Sequence, residues 1–290
     1  MSEDDEARDG AGASPDVRAR LGRDFLPRLA SGLAMGVVAA LCTFSGTVPF
    51  AVLVVAVTVL LSWEWGRLVH GREADLVIAV HMVSAGAAAV LAACDVAALG
   101  LLAVLIGAIL AMLLSLGRNS LFSALGVVYA GLPAVALIWL RSDPALGLLA
   151  VTFLIVIVVV SDTAGFLSGR LMGGPKLWPR ISPNKTWAGF VGALVASSIV
   201  GALFWIAVPD GSAVRLAAAG AMLSLVAQAG DLAESAIKRR FGAKDTSTLI
   251  PGHGGVMDRV DGLVAAATAV GLASFVINVH SPAHALLLGS

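Results

Sequence analysis

Charge is what this sequence has least of. Lys, Arg, Asp and Glu make up 13% of its 290 residues, whereas a soluble domain carries roughly 25%. The shortfall excludes a chain wetted on all sides. Together with 58% hydrophobic residues and a mean hydropathy of +0.92 it places the chain in a bilayer. Net charge is +0, so there is no basic surplus of the kind that binds nucleic acid. Thiols are nearly absent. Cys42 and Cys94 lie in or beside apolar runs, which excludes a disulfide framework or thiolate cluster and reads as two small core residues. The basic opening of a cleavable leader is missing too, because the chain begins with Glu3, Asp4, Asp5 and Glu6. Residues 1–24, with no helical period from Gly10 to Pro15, read as a disordered cytoplasmic tail ahead of a single transmembrane catalytic domain over 25–290.

Long apolar runs are what the sequence does have. A helix crossing the hydrocarbon needs about 20 mostly apolar residues. Candidates fall at 27–44, 48–63, 76–93, 96–116, 121–140, 145–163, 187–208, 213–235 and 261–279. The expected fold is therefore an all-α polytopic bundle of about nine spans, with N-terminal spans over 27–140 and a catalytic half over 145–279. Interior Ala and Gly let such helices approach closely. With the N-terminus inside, all 19 Lys and Arg except Arg141 and Arg215 fall on inner segments. The positive-inside rule thus orients the chain with its N-terminus in the cytoplasm.

Two inner segments, 161–186 and 231–261, are long and polar, and long loops in a compact protein are usually functional. Asp231 and Glu234 are three apart and share a helix face, and Asp258 and Asp261 repeat that spacing at the start of the last span. Asp231 follows the apolar run Leu216 to Ala229, and Asp162 likewise ends Phe153 to Val160. Carboxylates at such depth are costly and often functional. Hard oxygen ligands from facing helix ends suit Mg2+. Lys238, Arg239, Lys244 and Arg259 supply charge for phosphoryl oxygens, and Gly254-Gly255 admits close backbone approach. His253 on its own reads as part of the turn. Ser182 before Pro183 is a candidate helix start, which would put Lys185 and Thr186 in a first turn suited to phosphate.

The run Ser235 to Asp261 resembles the signature of the phosphatidate cytidylyltransferase family, also called CDP-diglyceride synthetases. It does so through Lys238-Arg239, Lys244-Asp245, Ser247, Ile250-Pro251, His253-Gly254-Gly255-Val256, Asp258-Arg259 and Val260-Asp261. Ser182-Pro183-Asn184-Lys185-Thr186 and the Asp162 to Arg170 element are similar to the family's other inner motifs. Departures are Ala188 in place of Glu, Phe166 in place of an aromatic hydroxyl, and Asn184 in place of Lys.

The resemblance implies that CTP and phosphatidic acid of the inner leaflet react to give CDP-diacylglycerol and pyrophosphate. It also implies a multi-pass bacterial-type plasma membrane enzyme, a cytoplasmic site and a homodimer. In that scheme Asp231, Asp258, Asp261 and Glu234 hold Mg2+, with a second, monovalent ion left open. Asp231, Lys238, Lys244, Asp258 and Asp261 are the catalytic set. Ser182, Lys185, Thr186, Arg239, His253, Gly254, Gly255 and Arg259 bind substrate. Rival readings are a CTP-dependent polyprenol or lipid kinase, which would release CDP, and a polytopic transporter, which would need charge nearer the bilayer centre.

Overall fold

The computed structural model describes residues 31–250 and 254–290. The expected tail over 1–24 and His253 lie outside them. The chain forms α1 (Ser31–Phe44), then α2 (Thr47–His70), α3 (Leu76–Ala93), α4 (Ala97–Leu114), α5 (Ser120–Ser142) and α6 (Gly147–Met172). A hairpin of β1 (Lys176–Trp178) and β2 (Ser182–Thr186) leads to α7 (Trp187–Leu203), followed by α8 (Ala213–Arg240), α9 (Met257–Ile277) and a short α10 (Pro282–Leu287). Helices α2 to α9 are all long and apolar enough to cross a membrane, and α1 is apolar but shorter over its described residues. The protein is an all-α polytopic bundle.

Apolar matter cannot drive these helices together in lipid, where tails are as apolar as leucine. Close fit and internal hydrogen bonds do it instead. One close approach joins α6 to α7. A Cβ at Gly189 of α7 would stand 2.7 Å from the Gly165 carbonyl of α6, so only glycine lets these helices meet there. Ser161 and Ser224 hydroxyls hydrogen-bond at 2.8 Å and tie α6 to α8 through the core. Helix α9 packs against both α5 and α8 and is the seam between the two halves of the bundle.

Three expectations are corrected. Helix α8 does not stop at 235 but runs to Arg240, because Ala233, Ala236 and the Glu234–Lys238 pair continue a good helix, and Lys238, Arg239 and Arg240 complement its C-terminal dipole. Helix α6 likewise runs ten residues past Asp162 to Met172, so Asp162 and Asp231 lie within helices. Ser182 does not start a helix. Ser182–Thr186 is a strand paired antiparallel with β1, and Thr186 is the N-cap of α7, its Oγ1 accepting from Gly189 N at 3.1 Å. The Pro183 ring fixes φ and biases the preceding Ser182 toward extended backbone, which moves the helix start downstream.

Candidate active site

The charged ends of α2, α8 and α9 gather at one end of the bundle, beside the β-hairpin. On α8 the expected spacing holds, and Asp231 and Glu234 lie on one face. Asp261 of α9 turns toward them. Carboxylate oxygens of Asp231, Glu234 and Asp261 all lie within 4.8 Å of one another. Glu234 is 1% exposed, and its Oε1 has no hydrogen-bond partner among the described residues. Three carboxylates so close repel one another, and a buried oxygen without a partner is expensive. The donor set therefore suits a divalent cation with hard oxygen ligands.

Two lysines flank this triad. Lys185 Nζ, at the end of β2, pairs with Asp231 Oδ2 at 2.6 Å. Lys238 Nζ stands 2.8 Å from Glu234 Oε2 and also hydrogen-bonds Asp258 Oδ1. Asp258, the fourth carboxylate assigned to metal, is engaged elsewhere. Its Oδ2 accepts from Thr246 N (2.9 Å), Thr246 Oγ1 (2.9 Å) and Gly255 N (2.8 Å). It thus anchors the loop between α8 and α9 and holds Lys238 against Glu234.

The same loop is gripped by a residue that sequence reasoning missed. Glu64, in the C-terminal part of α2, is fully buried. Its Oε1 accepts from Ser247 Oγ at 2.6 Å and Val256 N at 2.9 Å. Its Oε2 accepts from Met257 N at 2.7 Å, with Thr246 Oγ1 at 3.2 Å. Glu64 therefore caps the N-terminus of α9 from across the chain, where the helix dipole favours an anion. Gly255 permits the approach, since a Cβ there would stand 2.6 Å from Glu64 Oε1. The available signal is a glutamate at the end of an apolar run, and nothing beside it in sequence links it to residues 246–257.

Beside the triad, a cavity of about 750 Å³ opens between α6, the hairpin, α7 and α8. Asp162, Arg170, Lys176, Asn184, Lys185 and Asp231 line it, together with Phe166 and Phe190. Its size is within the usual range for small-molecule sites. The remaining expected residues scatter. Thr186 is buried at its cap and borders the cavity. Ser182 is half-buried at the start of β2. Gly254, at φ +84°, turns the backbone into Gly255. Arg239 is exposed and donates to Ala243 O at 3.1 Å, and Lys244 is exposed on the loop. Arg259 is exposed at the other side of α9, bordering a second, apolar cavity.

The sequence profile of the cytidylyltransferase family matches residues 26–277. The chain belongs to that family. It is 38% identical over 245 residues to the phosphatidate cytidylyltransferase of Brucella suis biovar 1 (strain 1330), covering 83% of this chain and 89% of that protein. The phosphatidate cytidylyltransferase of Brucella abortus (strain 2308) matches to the same extent. That of Staphylococcus saprophyticus (strain ATCC 15305) is 42% identical over 144 residues, 49% of this chain and 54% of that protein. A cytidylyltransferase must hold a triphosphate, which carries several negative charges. The lysines and the carboxylate triad beside one polar cavity are the parts of this chain suited to that task.

Proposed function

We propose that this cytidylyltransferase moves the cytidylyl group of CTP onto phosphatidic acid, giving CDP-diacylglycerol and pyrophosphate, on the cytoplasmic face of the plasma membrane. The observation that carries the reading is the triad Asp231–Glu234–Asp261 beside Lys185 and Lys238, at the rim of the polar cavity. The acceptor is the one named for the Brucella relatives, phosphatidate. The cytoplasmic face follows the distribution of lysine and arginine.

Asp231, Glu234 and Asp261 would hold Mg2+. When bound, it supplies positive charge at the phosphate oxygens of the nucleotide. The protein's own groups do the rest. Lys185 and Lys238 offset charge as two anions are brought together, and the cavity walls orient the nucleotide beside the bilayer. A lipid phosphate oxygen forms a new bond to the α-phosphorus of CTP, and the α–β bridging bond breaks to release pyrophosphate. A phosphate monoester is dianionic near neutral pH and needs no strong general base. Asp258 and Glu64 keep Lys238 and the 241–256 loop in place.

The test supplies purified protein with labelled CTP, Mg2+ and phosphatidate. A lipid-phase cytidine product with stoichiometric pyrophosphate is expected. Release of CDP with no cytidine in the lipid would instead assign the kinase reaction.

A further inference from the structure

The second cavity, of about 520 Å³, lies on the far side of α9 from the polar one, between α1, α2, α5 and the loop before α9. Its walls run along α2 from Phe50 to Leu61, a rise of about 16 Å along the helix axis. That is roughly half of the ~30 Å hydrocarbon thickness, the depth of one leaflet. The walls are almost wholly apolar. The two hydroxyls among them, Thr43 and Thr58, spend their protons on the Ala39 and Val54 carbonyls at 2.7 Å. Its inner end is different. There it meets Arg259, the residue after Asp258, one turn of α2 short of Glu64. Val38 at 49% and Leu249 at 45% exposure show that the cavity reaches the surface of the chain.

A slot one leaflet deep, apolar along its length and cationic at its inner end, has the shape and charge of a single phospholipid tail below an anionic headgroup. We infer that this cavity holds one acyl chain of an anionic phospholipid, with the headgroup phosphate at Arg259. This goes beyond the proposed function, because a phosphate at Arg259 stands on the far side of α9 from the carboxylate triad, so the slot is a lipid site separate from the one where transfer occurs. An uncharged or zwitterionic lipid satisfies the walls but gains less at Arg259. A dissolved metabolite gains nothing from walls that offer no spare donor.

The test uses the full chain in phosphatidylcholine nanodiscs containing a phosphatidate whose acyl tail ends in a diazirine. After photolysis, labelled residues are mapped by mass spectrometry. Labelling should concentrate on α1 and α2 between residues 34 and 57. It should fall roughly tenfold in Val57→Trp, which fills the slot midway, and by less in Val57→Phe. A phosphatidylcholine with the same tail, at equal mole fraction, should label these residues several-fold less. Labelling spread evenly over all lipid-facing helices, unchanged by both Val57 variants or equal for the two lipids, would overturn the inference. So would labelling that emerges only after residues 1–30 are removed, since the occupant would then be the chain's own N-terminal segment. The same wild-type discs receive labelled CTP. Labelling without conversion keeps the slot and removes the reaction, and conversion without labelling does the reverse.

Discussion

Asp258 and Asp261 stand one turn apart on α9 and serve two different regions. Around Asp258 every oxygen is used, by Lys238, Thr246 and Gly255, and Glu64 closes the same loop from α2. Around Asp261 the neighbours are two more carboxylates, one with a buried oxygen that no group among the described residues satisfies. A carboxylate with its hydrogen bonds complete gains little by taking a metal, because it must first give them up. One crowded by its own kind gains much. Residue type cannot tell these cases apart, since both are aspartates at a helix start. What separates them is whether the surrounding groups donate or accept.

The largest expected effect comes from breaking the crowded region. Asp231→Asn or Asp261→Asn should lower cytidylyl transfer at least about a thousandfold, as loss of several kcal/mol of charge stabilisation predicts. Melting in detergent should hold or rise, because like-charge repulsion is relieved. Chelation of Mg2+ should cost the wild type as much as either substitution. Asp258→Asn should do the opposite in kind, with clear loss of melting temperature alongside its loss of rate. Full turnover in Asp231→Asn, with a stable but inactive Asp258→Asn, would reverse the comparison.

Glu64 comes next. Glu64→Ala strands two backbone N–H groups at the start of α9 and removes an acceptor from Ser247 and Thr246. Each buried unsatisfied donor costs about 1–3 kcal/mol. The variant should therefore melt well below wild type and lose turnover through disorder of the 241–256 loop. Glu64→Gln keeps one oxygen acceptor and should be intermediate in both. Thermal melting and transfer rate measured on the same preparations check this. Wild-type melting in Glu64→Ala would show that the loop is held by Asp258 alone.

Much of this was legible in the sequence, and the reason is physical. Apolar runs of about 20 residues have few other uses, so the expected spans from 48–63 onward fall on α2 to α9, although α2, α6 and α8 run past their expected ends. The i,i+3 spacing of Asp231 and Glu234 survives because α8 is helical through them. Where that helix ends was less legible, since polarity was read as the end of the helix, whereas Ala233 to Arg240 are polar and strongly helical at once. Glu64 was illegible for another reason. Its partners lie some 190 residues away, and an interaction between sequentially remote residues leaves no local pattern. Asp258 is expected at the metal, whereas its oxygens are taken by Lys238 Nζ, Thr246 and Gly255, partly through backbone N–H groups that no side-chain motif reveals.

The smallest effect sharpens the comparison from the cavity side. Thr186 caps α7 through Gly189 N and stands at the end of the strand that carries Lys185 to Asp231. Thr186→Ala removes one N-cap bond, about 1 kcal/mol, and should lower the melting temperature by roughly 2–4 °C. Thr186→Ser keeps the hydroxyl and should restore it. If the hairpin positions Lys185 for the nucleotide, Thr186→Ala should also raise KM for CTP several-fold while kcat and the Mg2+ requirement stay near wild type, because the triad on α8 and α9 is untouched. A fall in kcat with no change in KM would mean that Lys185 acts through Asp231 on the triad itself. The lysine would then belong to the crowded carboxylates and not to the cavity wall.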